Sequence, residues 1–140
     1  MQLSIKKLHS DATIPQYAHH NDAGMDLFSV SEITIQPQER VSVPTGIAMQ
    51  IPDGYVGLIW DKSGISQKFG LKTLGGVVDA GYRGEIFVGL YNTGNNPHTF
   101  EAGQKLAQII IQKIEQPEVI EVLELNNSIR GEGAFGSTGK

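Results

Sequence analysis

The chain has 140 residues, enough for one domain around one core. With 39% apolar and 19% charged residues it has the composition of a globular protein, and no apolar run approaches the ~20 residues of a membrane span. The formal net charge is −4 and the basic residues form no block, so there is no footprint for a nucleic-acid backbone. A phosphate-bearing ligand would have to be held by a few placed cations, backbone N–H groups or a metal. Cysteine is absent, which excludes disulfides and thiolate chemistry. The stretch from Met1 to Ser10 has no charged start followed by a long apolar core, so no signal peptide is read and a cytoplasmic location is expected.

Taken in chain order, the dominant period is two. Ile33 and Ile35 open the pattern, and Val41, Val43, Thr45, Ile47, Met49 and Ile51 continue it as a half-buried strand. Tyr55 to Trp60 predicts the next strand. A short helix is predicted from Ser63 to about Phe69, with Ser63 as N-cap and Gly70 as stop. Further strands are expected at Ile86 to Tyr91, Leu106 to Ile111 and Val119 to Leu125. Turn residues separate them at Pro37, Pro52-Asp53-Gly54, Gly75-Gly76, Asn92 to Pro97, Ala102-Gly103 and Gln116-Pro117. Many short strands with 17 glycines predict an all-β jelly roll or sandwich with at most one short helix. Residues 1–129 read as the β domain. From Arg130 the sequence RGEGAFGSTGK loses all periodicity and reads as a flexible glycine-rich arm over 130–140.

Four segments and the arm could carry chemistry. In Gly75 to Glu85, two glycines precede Val77-Val78-Asp79, followed by Gly81-Tyr82. Such a hairpin brings backbone N–H and C=O groups close to a flat ligand, and Asp79 at its tip could activate a water. From this segment alone, a turn capped by aspartate is the favoured reading. Lys62-Ser63-Gly64 offers a cation, a hydroxyl and free N–H groups to a phosphate, or serves as an ordinary capped turn. Asp26 stands inside the apolar run Ala23 to Phe28, where a loop aspartate bonded to backbone is the alternative. Gln108 breaks an apolar run and needs a partner, backbone or ligand. The arm ends Gly136-Ser137-Thr138-Gly139-Lys140, but a P-loop would need glycine where Ala134 stands. His9, His19, His20 and His98 match no zinc spacing and are expected at the surface. No serine lies in a G-x-S-x-G elbow.

Together and in order, these segments resemble the motifs of the homotrimeric dUTPase family, over nearly all the chain from Ala23 onward. The resemblance implies a jelly roll whose three subunits share sites at their interfaces. It implies Mg²⁺-dependent hydrolysis of dUTP to dUMP and pyrophosphate, which limits uracil incorporation into DNA and supplies dUMP for dTTP synthesis. By position, Asp79 matches the aspartate that activates water for attack on the α-phosphorus. Tyr82 matches the aromatic that packs on deoxyribose. Gly76, Val77 and Val78 match the hairpin whose backbone reads uracil. Lys62, Ser63, Gly64 and Gln108 match phosphate-contacting positions, and Asp26 matches an acid that orders water around the metal, with no direct protein ligand expected. In the arm, Arg130, Ser137 and Thr138 match groups that close on the phosphates, and Phe135 with Gly136 the stack on uracil.

Two positions depart from the family pattern. Lys62 stands where arginine is usual, keeping the charge but losing the bidentate fork. Ala134 replaces a usual glycine; a positive φ there would cost about 1 kcal/mol. Two rival readings are a dCTP deaminase-like enzyme and a non-catalytic nucleotide-binding jelly roll. The first would need a glutamate where Gly89 stands, and the second would not need Asp79 as a base.

Overall fold

The computed structural model describes residues 1–133. Its strands are β1 (Ser4–Lys7), β2 (Met25–Phe28), β3 (Ile33–Ile35), β4 (Arg40–Gln50), β5 (Tyr55–Trp60), β6 (Leu71–Leu74), β7 (Val77–Val78), β8 (Glu85–Asn92), β9 (His98–Phe100) and β10 (Lys105–Lys113), with the helix α1 (Ser63–Phe69) between β5 and β6. They form two four-stranded sheets, ordered β1-β4-β8-β6 and β2-β10-β5-β7, and a ribbon β3-β9. Every pairing is antiparallel. No two neighbours within a sheet are consecutive strands, as jelly-roll connections require. No described helix is long and apolar enough to cross a membrane.

Both sheets feed one core. Val43, Ile47, Val88 and Leu90 from one meet Leu27, Leu106 and Ile109 from the other, with Phe100 and Ile35 of the ribbon closing one end. The alternation read from Val41 holds as far as Thr45, after which residues through Met49 are buried whichever way they point. The cause is a register shift between β4 and β8 around Pro44 to Ala48. Gly46 lies there at φ 70°, its N–H donating to Glu85 Oε1 at 2.8 Å, while Thr45 Oγ1 donates to the Ile86 carbonyl. This is the behaviour of a β-bulge, which bends a strand and covers both its faces. Glu85 is thereby committed to the scaffold.

Several elements depart from the sequence reading. Val119 to Leu125 forms no strand; these residues are exposed, Leu123 and Leu125 almost completely. The apolar residues are there, but they fall in pairs and do not alternate, and the segment pairs with no described strand of its own chain; a strand without a neighbour has no ladder. The strands β1, β2, β6, β7 and β9 were not foreseen, since two to four residues carry too little period to read. The N-cap of α1 is Lys62 and not Ser63, without a side-chain capping bond, whereas Gly70 stops the helix at φ 70° as expected. His98 is half-buried between Phe69 and Phe100, at ring-centroid distances of 4.4 and 4.6 Å. Burial holds its imidazole below the ordinary range.

Candidate active site

The glycine-rich hairpin builds one wall of a cleft. Gly75 and Gly76 take φ values of 68° and 106°, open to glycine and costly for other residues. A Cβ on Gly76 would lie 2.8 Å from the Ile59 carbonyl. The chain here runs against β5: the Gly76 carbonyl accepts from the Ile59 N–H at 2.8 Å, and Val77-Val78 pairs with Leu58-Gly57. The cleft, about 240 Å³, is lined by Ile59, Gly76, Val77, Val78, Asp79, Tyr82, Glu85, Ile86 and Phe87. Asp79 is exposed at its edge, and its carbonyl accepts from the Tyr82 N–H at 3.0 Å, closing the turn. The Tyr82 ring folds over Gly84, where any Cβ would collide with it, and its hydroxyl donates to the Glu85 carbonyl at 2.9 Å. An apolar floor, free backbone edges, one carboxylate and one aromatic wall suit a flat heterocycle with a sugar attached.

A second, charged cluster gathers on β2, β5 and β10. Gln108 is the register partner of Asp26 on one side and of Trp60 on the other. Its Nε2 donates to the Asp61 carbonyl at 2.8 Å, and its Oε1 lies where a side chain on Gly24 would be. Asp26 is not in a loop but on β2, 2% exposed, with Lys62 donating to one carboxylate oxygen. Lys105 Nζ lies 2.6 Å from the other oxygen, an ion pair off the hydrogen-bond angle. Burial would raise the carboxyl's pKa, but the two ammonium groups outweigh it and hold Asp26 below the usual carboxylate range. Two cations on one acid leave a net positive charge. Lys105 was missed by the sequence reading; a cation next to a turn at the start of a strand gave no signal. Ser63 and Gly64 follow Lys62, both exposed at the start of α1.

The structure thus brings Gly76, Val77, Val78, Asp79 and Tyr82 into one cleft, and Asp26, Lys62 and Gln108 into another cluster. Lys62, Ser63, Gly64 and Gln108 do not line the Asp79 cleft of their own chain. Arg130 lies apart in an exposed local turn, its Nε donating to the Gly133 carbonyl at 2.8 Å. Phe135, Gly136, Ser137 and Thr138, and the departure at Ala134, lie outside the described residues. At Gly89, where a deaminase would carry its glutamate, a Cβ would stand 2.9 Å from the Leu74 carbonyl, so no side chain fits.

A β jelly roll with a nucleoside-sized cleft beneath a glycine hairpin, and a lysine-bearing loop on the same sheet, defines a class of nucleotide-handling proteins. The comparisons narrow it. A family model described as dUTPase matches residues 10–139. The chain is 45% identical over 141 residues to the deoxyuridine 5'-triphosphate nucleotidohydrolase of Clostridium kluyveri, covering 99% of each chain. The Staphylococcus bacteriophage 80alpha dUTPase with dUPNHPP superposes with a TM-score of 0.90 at 34% identity, over 99% of both chains. A mutant dUTPase from phage phi11 of S. aureus, whose structure concerns the coordination of a structural Mg(II) ion, gives a TM-score of 0.83 at 31% identity, over 89% of this chain and 98% of that one. This chain belongs to the dUTPase family.

Proposed function

We propose that the chain is a dUTP diphosphatase that hydrolyses dUTP to dUMP and pyrophosphate with Asp79 as general base. The observation that carries this reading is Asp79 at the edge of a cleft walled by hairpin backbone and Tyr82. Uracil enters against Gly76 to Val78, whose backbone groups pair with its edge, and deoxyribose lies against Tyr82 with no room for a 2′-hydroxyl. Asp79 takes a proton from water as its oxygen bonds to the α-phosphorus, and the bond to the bridging oxygen breaks with its electron pair going to pyrophosphate. The activity removes dUTP as a source of uracil in DNA and yields dUMP for dTTP synthesis. We place it in the cytoplasm.

Lys62, Ser63, Gly64 and Gln108 receive the phosphates, and Arg130, Ser137 and Thr138 close on them while Phe135 and Gly136 cover uracil. Residues 130–140 act as an arm on the domain formed by 1–129. Mg²⁺ arrives with the substrate and takes no direct protein ligand. The ion would be held by phosphate oxygens and waters and would neutralise the triphosphate charge; Asp26 reaches those waters only when Lys62 or Lys105 releases one of its carboxylate oxygens. Lys62 and Lys105, sharing that carboxylate, contribute the fixed positive charge.

Sites shared in a homotrimer account for two features. The phosphate cluster and the Asp79 cleft are separate within one chain. Val119, Ile120, Leu123, Leu125 and Ile129 are exposed on the single chain, more apolar surface than a connecting segment needs unless another subunit covers it. Pyrophosphate release from dUTP, dTTP, dCTP and UTP in Mg²⁺ tests the function. Strong preference for dUTP is expected, because a hairpin that must hydrogen-bond uracil leaves its groups unpaired with another base. Comparable kcat/KM for dTTP would overturn the uracil reading.

A further inference from the structure

Between β5 and α1, Asp61 immediately precedes the phosphate-loop residues Lys62, Ser63 and Gly64. Its Oδ1 accepts from both the backbone N–H and the Oγ1 of Thr73, each at 2.7 Å. Its Oδ2 accepts from Lys72 Nζ at 2.5 Å. Its carbonyl is the one that receives Gln108 Nε2 at 2.8 Å. Thr73 lies on β6, the outermost strand of its sheet, so its outward N–H has no neighbouring strand to bond. Asp61 supplies the missing acceptor and in return is fixed to the rigid sheet edge. Its side chain is 21% exposed, so the bonds are partly sheltered from water.

We infer that Asp61 is a positioning residue for the triphosphate: it anchors the loop bearing Lys62, Ser63 and Gly64 to β6 and orients Gln108 through its own carbonyl. The loop needs such an anchor. Its helix has no side-chain N-cap and no fully buried residue, and in its first turn only Ile65 packs against the core, so capping contributes nothing and core packing little to fixing where α1 begins. Lys62 is tied to Asp26 on β2, and Asp61 one residue earlier is tied to β6 of the other sheet. The backbone at 61–62 is held from both sides, which pre-orients the groups behind it and lowers the ordering cost when phosphate binds. Asp61 itself touches no substrate. Sequence reading passed over it because nothing in an aspartate before a lysine shows that a threonine twelve residues on will meet it.

This inference rests on the dUTPase reading, and the experiment separates the two. In the full chain, Asp61→Ala, Asp61→Asn and Thr73→Val are compared with wild type by kcat and KM for dUTP, inhibition by deoxyuridine, and melting temperature. Deoxyuridine carries no phosphate, so it reports the cleft alone. Asp61→Ala is expected to raise KM for dUTP by about tenfold or more while the inhibition constant for deoxyuridine stays within about twofold. Asp61→Asn, whose amide oxygen can still accept both Thr73 bonds, should recover most of the loss. Thr73→Val, losing one bond of two, should fall between and cost little more when added to Asp61→Ala. Wild-type KM in Asp61→Ala, or an equal loss for deoxyuridine and dUTP, overturns the positioning role. Should Asp61→Ala not fold, wild-type KM in Thr73→Val overturns it and a selective rise in KM supports it. A wild-type chain that releases no pyrophosphate from dUTP sinks the functional reading before any variant is made.

Discussion

Lys62 donates to the carboxylate of Asp26, which puts the cation of the proposed phosphate loop on an acid buried in β2, itself hydrogen-bonded to β10. An arginine there would reach acid and phosphate with separate N–H groups of its fork; a lysine must share one ammonium between them. Lys105 on the second oxygen would keep Asp26 neutralised if a phosphate drew Lys62 away. Lys62→Ala should raise KM for dUTP about tenfold or more, and Lys62→Arg should hold or lower it. A steady-state titration of both variants decides; unchanged KM in Lys62→Ala removes this residue from the phosphate site.

Acid stability follows from the same pair. Asp26 is held below its unfolded pKa of 3.8, so the native state binds fewer protons than the unfolded one as pH falls toward that value. Its contribution is complete above 3.8 and is lost as pH falls through the lower folded value. Asp61 adds a contribution of the same sign: burial would raise its pKa, but its bonds from Lys72 and Thr73 lower it. Urea unfolding of Asp26→Asn against wild type should show a loss of about 1–3 kcal/mol at neutral pH that narrows in acid. A constant difference down to the acid limb would disprove the linkage.

His98 acts at a higher pH. Its folded pKa lies below the ordinary 6.5 because the half-buried ring is costly to charge, and its Nε2 is buried without a partner among the described residues. The stability it contributes is complete above 6.5 and declines as pH falls below that value toward the folded pKa. His98→Phe keeps the aromatic packing with Phe69 and Phe100 and should flatten this dependence in thermal melts. An unaltered slope would place the titration elsewhere.

Asp79→Asn should lower kcat by at least about 100-fold while nucleotide binding survives, because the amide keeps the shape and loses the base. Titration calorimetry with a non-hydrolysable dUTP analogue, set beside pyrophosphate release, separates the two effects. Near-normal turnover would end the assignment.

A mixing experiment tests the trimer and the arm together. Asp79→Asn and a chain truncated after Ser128 should each be nearly inactive. Refolded together as random trimers, they should regain about a quarter of the sites if hairpin and arm at each site come from different chains. Recovery no greater than the separate mutants, with trimers confirmed by light scattering, would place hairpin and arm in the same chain.

The sequence by itself determined the all-β class, the long strands and the boundaries of α1, because these rest on local chemistry: alternation over six or more residues, and a glycine able to take positive φ at Gly70. It also marked Asp79, Tyr82, Lys62 and Gln108 as worth asking about. It did not reveal the short strands β2, β6 and β7, which exist only because a distant strand offers them a ladder. Only the tertiary structure decided which marked residues share a space: the hairpin residues gather in one cleft, while Lys62 and Gln108 join Asp26, Lys105 and Asp61 elsewhere. Val119 to Leu125 shows the limit from the other side, since its apolar pattern was legible and still makes no strand without a partner. Pattern depends on each residue's own chemistry, whereas pairing depends on what the fold places across from it.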